Sequence, residues 1–271
     1  MSKKEKKEKK QKKEKEVYTP KTGVMGNADD YHVYHLSFTE RLTGFAIGGL
    51  GSAVVLYIFF GSLLLSLIAL VVVGVKAIPI YQNYLLKKRK KTLLFQFRDM
   101  LESLTSSFSA GKNTRDSFID TLQDMKNMYG EDADIVKELT IIVSGMENNI
   151  NPEMLLLDFA DRSELTDVES FASVFDVALR QGADLKVVIA STKDMISDKM
   201  EIELEMDAML AGNKNEINVM MLMPLIITVS LKGMSGETFG NSMTNIIVKC
   251  VAIALFIVAY AMGRKISDIK I

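Results

Sequence analysis

The chain has 271 residues, with 33 basic and 34 acidic side chains, two His, one Cys and no Trp, for a formal net charge of −1. A single cysteine excludes a disulfide framework and a thiolate metal site, so Cys250 reads as a packing residue. The near-neutral total conceals a segregation: Met1 to Lys21 carry ten Lys against four Glu, a balance of +6, while the remainder carries 23 basic against 30 acidic groups, or −7.

In chain order, residues 1–41 form a Lys-rich leader. Its run KKEKKEKKQKKEKE has no apolar face and no interleaved aromatic residue, which argues for a largely disordered, solvated segment and against nucleic-acid binding. A basic leader beside an acidic body is also drawn to anionic membrane lipid, at about 1 kcal/mol per Lys near the surface. No small-residue cleavage site follows a short apolar region, so no cleavable signal is expected. His32 and His35 with Asp29 and Asp30 have the residue types of a metal site, but an i, i+3 pair in a flexible segment reads as solvated.

From Leu42 to Val75 no residue is charged. As one helix this stretch would run to about 51 Å, well past a hydrocarbon core of about 30 Å. Gly48-Gly49, Gly51 and Gly61-Ser62 are breakers within it, and a fold near Phe59 to Ser62 gives two spans, about 43–60 and 62–80, with Lys76 snorkelling. One steeply tilted helix is the alternative. Ile217 to Leu231 and Ile246 to Met262 are almost as apolar and read as two further spans within 217–262, joined by a short external loop, 232–245. Pro224 is expected to kink the first of them. The basic clusters at the leader, at Lys87 to Lys91 and at Arg264, Lys265 and Lys270 all follow or precede apolar blocks. By the positive-inside rule they put both termini, the middle module and the tail 263–271 on the cytoplasmic side of a multi-pass cell-membrane protein.

Between the apolar blocks, residues 81–216 repeat apolar positions at helical spacing. Leu94, Phe97, Leu101, Leu104 and Phe108 form a stripe that stops at Ala110-Gly111, and Phe118, Leu122 and Met125 one that stops at Tyr129-Gly130. Ile135, Leu139, Ile142 and Met146 follow, ending at Asn148-Asn149, with Asn151 and Pro152 opening the next helix through Met154, Leu155 and Phe159. Val168, Phe171, Phe175 and Ala178 close at Gln181-Gly182, and a last helix from near Asp184 runs toward the third span. Gly111 and Gly182 are structural turns. The expected architecture is therefore all-α, with two N-terminal and two C-terminal transmembrane helices around a cytoplasmic six-helix bundle.

No catalytic constellation, cofactor site or metal site emerges. The segment Ser109 to Thr114 lacks the first Gly and the hydroxyl residue of a phosphate loop, and Asp158, Asp161, Glu164, Asp167 and Glu169 read as a solvated or partner-facing surface. No nucleophile stands beside a base, so the chain does not read as an enzyme. The spans lack the ionisable groups of a transport path, Lys249 excepted.

The order of these parts resembles the type II secretion F-domain family, and most closely the TadB-like platform proteins of Tad (Flp) pilus machines. The resemblance is carried by Phe97-Arg98-Asp99-Met100-Leu101-Glu102-Ser103-Leu104, Ser109-Ala110-Gly111-Lys112, Ser117-Phe118, Phe159-Ala160-Asp161-Arg162-Ser163, Phe171-Ala172, Phe175 and Arg180-Gln181-Gly182-Ala183-Asp184-Leu185. Ala211-Gly212, Glu216, Met223-Pro224 and the closing Gly263-Arg264-Lys265-Ile266 extend it over about 30–271. Ala183 departs from the second Gly of the family's turn. The resemblance implies a non-enzymatic inner-membrane platform that couples a hexameric secretion ATPase (TadA-like) to extraction and polymerisation of pilin subunits, beside a TadC-like F-domain protein and in an oligomer. Arg98, Glu102, Arg162, Glu164 and Arg180, charged groups beside the signature positions, are the expected partner contacts. Two other readings stand: the platform of a related pseudopilus or type IV pilus system, and a membrane scaffold or receptor signalling through the helical module.

Overall fold

The computed structural model describes residues 21–26 and 28–234, and the single positions Ile247, Val251, Val258 and Met262. The expected fourth span, the external loop 232–245 beyond its first residues, the basic C-terminus and the Lys-run of the leader lie outside the described residues. Every regular element among the described residues is a helix: α1 (Phe38–Phe60), α2 (Leu63–Ser109), α3 (Thr114–Tyr129), α4 (Asp134–Glu147), α5 (Pro152–Ser163), α6 (Thr166–Gln181) and α7 (Leu185–Met234). They fall into two compact units, one made of the chain up to Tyr34 with Leu86–Asp194, the other of His35–Leu85 with the chain from Met195 onward.

In the second unit, α1 and the first part of α2 are long and apolar enough to cross a membrane. The start of α1 is fixed by Ser37, whose backbone N–H donates to Glu40 at 2.8 Å, satisfying one of the otherwise orphaned groups at a helix start. Its end is fixed by Gly61 in the left-handed region (φ 65°), with its N–H bonded to the Tyr57 carbonyl at 2.9 Å. Gly61-Ser62 is the break. The other glycines expected as breakers, Gly48-Gly49 and Gly51, lie inside α1 instead.

Their use is close approach. Lipid tails are as apolar as Leu, so two helices in a bilayer gain little from apolar contact alone and gain more where small residues let backbones meet. A Cβ on Gly48 would stand 2.2 Å from the Ala77 Cβ, and one on Gly74 would stand 2.6 Å from the Phe45 ring. Ser52, one turn past Gly48, donates to the Gly49 carbonyl at 2.9 Å and lies 3.4 Å from the Ala69 carbonyl of α2. The outer faces stay apolar and uncovered, with Leu42, Ile47, Leu50, Val54 and Tyr57 on α1 and Leu63, Leu64, Leu67, Ile68, Val71 and Val72 on α2. A patch of that extent suits lipid rather than water. Further along, the apolar segment Asn218–Ser230 belongs to α7, which continues as helix through Pro224.

The first unit is built on an apolar core. Phe97, Met100, Leu101 and Leu104 of α2, Phe118 of α3, Leu139 and Ile142 of α4, Phe159 of α5 and Phe171 and Phe175 of α6 are all buried. Three aromatic contacts tie the helices, Phe97 to Phe171 edge-on at 5.6 Å, Phe118 to Phe175 edge-on at 6.2 Å and Phe97 to Phe159 at 6.2 Å, and Phe171 meets Phe175 within α6 at 5.5 Å. Helices α3 and α4, α4 and α5, and α5 and α6 pack as successive neighbours. Gly111 (φ 79°) and Gly182 (φ 66°) make the turns after α2 and α6. Lys112 is paired with Asp120.

Two differences from the sequence reading have clear causes. Met154 joins the expected α5 stripe by spacing but is half exposed, because Leu155 and Leu156 take the inward positions. The unit is also not the stretch 81–216: it closes at Asp194 and takes in residues 21–34 from what composition assigned to the leader. That assignment extends the character of the Lys-run too far, since Tyr31 is fully buried.

Gly48→Leu is expected to pull α1 from α2 and to cost about 1–3 kcal/mol, as overpacking does, whereas Gly51→Ala, with no atom near the added Cβ, should be neutral. Detergent-mixture unfolding midpoints of the two variants check this; equal midpoints would contradict the packing described.

Candidate functional site

Helix α4 turns Ile135, Leu139, Ile142 and Met146 inward, and Glu138, three residues after Ile135 and four before Ile142, shares that buried face. Helix α5 does the same with Arg162, three residues after buried Phe159. Both charged side chains are only 1% exposed.

They meet in a bidentate pair, with Arg162 donating from Nη1 to Glu138 Oε1 and from Nη2 to Oε2, each at 2.7 Å. Arg162 Nε donates to Asp158 one turn earlier at 2.9 Å, and Nη1 donates also to the Asp29 carbonyl at 2.9 Å. Tyr31 closes the cluster, its hydroxyl donating to Glu138 Oε1 at 2.9 Å and its N–H to the Arg162 carbonyl at 3.2 Å. Burial and the adjacent Glu138 charge push the Tyr31 hydroxyl far above its usual range, so it stays a neutral donor. Burial raises the Glu138 carboxyl, while hydrogen bonds and charge from Arg162 and the Tyr31 hydroxyl pull it back. For Arg162, burial works against the charge, and Glu138 and Asp158 overcome it, so the guanidinium remains protonated.

A second layer surrounds the first. Arg89 lies over the Tyr31 ring at 4.6 Å and donates to Asp134 at 2.6 and 2.8 Å and to Asp29 at 2.9 Å. The two ring nitrogens of His32 face Asp30 at 2.8 Å and Glu164 at 2.7 Å, and Lys90 reaches the other Glu164 oxygen at 2.5 Å. The Val24 N–H donates to Asp158 at 3.1 Å, and Lys21 pairs with Asp161 at 2.5 Å. Gly23 allows this approach: it has φ 69°, and a Cβ there would stand 2.7 Å from Ala28 and 2.9 Å from the Asp158 carboxylate.

The expected contact residues are therefore dispersed. Arg98, partly buried, is held by Asp99 at 2.6 Å and lies over Phe95. Glu102 lines an acidic groove between α2 and α3 with Asp99, Ser103, Asp124 and Met128. There Ser103 donates to Asp124 at 2.6 Å, and Tyr129, bonded to Asp99, has its hydroxyl pushed up to about 12 by burial and that carboxylate. Glu164 ends α5 in the left-handed region (φ 53°). Arg180 is exposed and paired with Asp176 at 2.8 Å. Arg162 is the correction: it is an interior residue, 1% exposed and covered by the chain's own Asp29 and Tyr31. Arg98 and Glu102 lie one turn apart on α2, and Arg162 and Glu164 adjoin at the end of α5.

Sequence reasoning missed Tyr31, Glu138 and Arg89. The readable signal was a charged residue at a stripe position, Glu138 among the α4 inward residues and Arg162 on that of α5. Among the described residues no group of His, Cys, Asp and Glu could hold a metal ion. The arrangement holds charge and a docked segment in place. No family model matches the chain, and no curated protein or solved structure is significantly similar to it.

Removing one member of a buried ion pair leaves the other uncompensated, while replacing both by apolar groups is often tolerated. Arg162→Met alone is expected to destabilise the bundle by about 3–5 kcal/mol, and Arg162→Met with Glu138→Leu to recover most of that loss. Urea denaturation of the full chain in detergent measures both; a double variant no better than the single one would contradict the pairing.

Proposed function

We propose that this chain is a membrane platform protein of a filament-assembly or secretion machine of the type II secretion F-domain kind, closest to the Tad (Flp) pilus platform. The observation that carries the reading is α2, one 47-residue helix whose first part is suited to lipid and whose last part supplies Phe97, Met100, Leu101 and Leu104 to the helical bundle. The basic run Lys87 to Lys91 lies between these parts, where a cytoplasmic membrane boundary would fall. The residue-by-residue resemblance around Arg98, Arg162 and Gly182 supports the same reading.

On this reading four spans hold the chain in the cell membrane, with both termini and the six-helix bundle cytoplasmic. The bundle takes force from a hexameric TadA-like ATPase, and a TadC-like F-domain partner and pilin subunits meet the chain in the membrane. Of the expected contacts, Glu102 and Arg180 keep exposed charge for such a partner, while Arg98 and Glu164 are engaged within the bundle and Arg162 is withdrawn from the interface.

Mild-detergent purification from the native cell, with mass spectrometry of co-purifying proteins, tests this. A Walker-motif secretion ATPase, a second F-domain protein or a small pilin is expected. Recovery of signalling proteins alone, under conditions that keep other membrane complexes intact, would overturn it.

Exposed ion pairs add at most about 1 kcal/mol to stability. Arg180→Glu and Glu102→Lys should therefore leave the melting temperature nearly unchanged and lower ATPase recovery by about tenfold, since interface charges govern partner choice and encounter. Undiminished recovery would exclude these residues from the contact.

A further inference from the structure

The contacts of residues 21–34 differ in kind from those of the helices around them. The bundle core of Phe97, Phe118, Leu139, Phe159, Phe171 and Phe175 is assembled from helices alone. Of the amino-terminal segment, Tyr31 alone is a fully buried apolar side chain, with Met25, Val33 and Tyr34 half-buried. Polar links also hold it: Lys21 to Asp161, the Val24 N–H to Asp158, the Asp29 carbonyl from Arg162, the Asp29 carboxylate from Arg89 and His32 to Glu164. Each of these is a bond that another chain offering the same groups can replace. The receiving surface, by contrast, is held by the helices themselves: Arg162 keeps Glu138 and Asp158, and Arg89 keeps Asp134, without the segment.

We infer that the surface formed by Arg89, Asp134, Glu138, Asp158 and Arg162 is a peptide-binding cleft, and that the chain's own Asp29-Asp30-Tyr31-His32 turn is its resident ligand, a releasable latch. The ligand class follows from the groups in the cleft. A phenol hydroxyl donates to Glu138, a ring lies under Arg89, a main-chain carbonyl accepts from Arg162, and a carboxylate one or two residues earlier accepts from Arg89. An acidic peptide turn ending in Tyr supplies all four.

Tyr31→Ala in the full chain removes the ring and the hydroxyl but touches no helix. A fluorescent peptide of residues 21–36 is then added in trans, with anisotropy as the readout and far-UV circular dichroism as the check on the bundle. The expected result is that the bundle stays helical, that the peptide binds the Tyr31→Ala chain at least about tenfold more tightly than the wild-type chain, and that a peptide carrying Tyr31→Phe, which lacks the hydroxyl that donates to Glu138, binds more weakly. Three results would overturn the inference: loss of the bundle on Tyr31→Ala, which would make the segment part of the core; a folded variant that does not bind the peptide; and equal binding by the wild-type chain, which would place the peptide elsewhere.

Discussion

Placing Arg162 and Glu138 where water cannot reach them sets a condition that much of the bundle's polar sequence meets. An ion pair out of water is tolerable only when its remaining donors and acceptors are also satisfied. Helix α5 meets part of that need from itself, with Asp158 one turn before Arg162. The rest comes from a segment more than a hundred residues away in sequence, through the Asp29 carbonyl and the Tyr31 hydroxyl. Arg89, itself held by Asp134 of α4, then grips that segment from the α2 side. The surrounding core is aromatic and aliphatic and would pack in several ways with little difference in energy; a bidentate pair has one geometry, and it fixes α4 against α5.

A different constraint shapes the apolar helices. In a bilayer, burying Leu against Leu would gain little, and the partner faces of α1 and α2 are made of what allows close approach: Gly48 on Ala77, Gly74 under Phe45, and Ser52 toward the Ala69 carbonyl. Leu42, Ile47, Leu50, Leu63, Leu64, Leu67, Ile68, Val71 and Val72 face outward. This is the reverse of the first unit, where large side chains fill the interior. The inversion is itself an argument that the two units belong in different solvents.

Both patterns were partly legible in the sequence, and for physical reasons. Helical spacing of Phe, Leu and Ile located the stripes of α2 to α6, and Gly61, Gly111 and Gly182 marked helix ends, because left-handed backbone favours glycine. Gly48 and Gly49 were read as breakers since spacing cannot tell a glycine that ends a helix from one that admits a neighbour. The candidate site was harder. Arg162 looked like a surface charge beside a signature motif; that it faces inward follows from its position relative to Phe159, but its partners lie 24 and about 130 residues away. Such long-range pairing has no periodicity to betray it. Tyr31 was concealed by its neighbourhood, a polar segment trailing a lysine run, and only the three-dimensional arrangement shows it closing the cluster.

The central claim is that Arg162 is an interior cation, sealed by Glu138, Asp158 and the Tyr31 segment. Its side-chain Nε–H, observed by nuclear magnetic resonance in the full chain at mildly alkaline pH, tests that claim most directly, with exposed Arg180 as the internal reference. The account predicts a resonance for Arg162 that persists and exchanges with water far more slowly than that of Arg180. Exchange of the two at the same rate would contradict it.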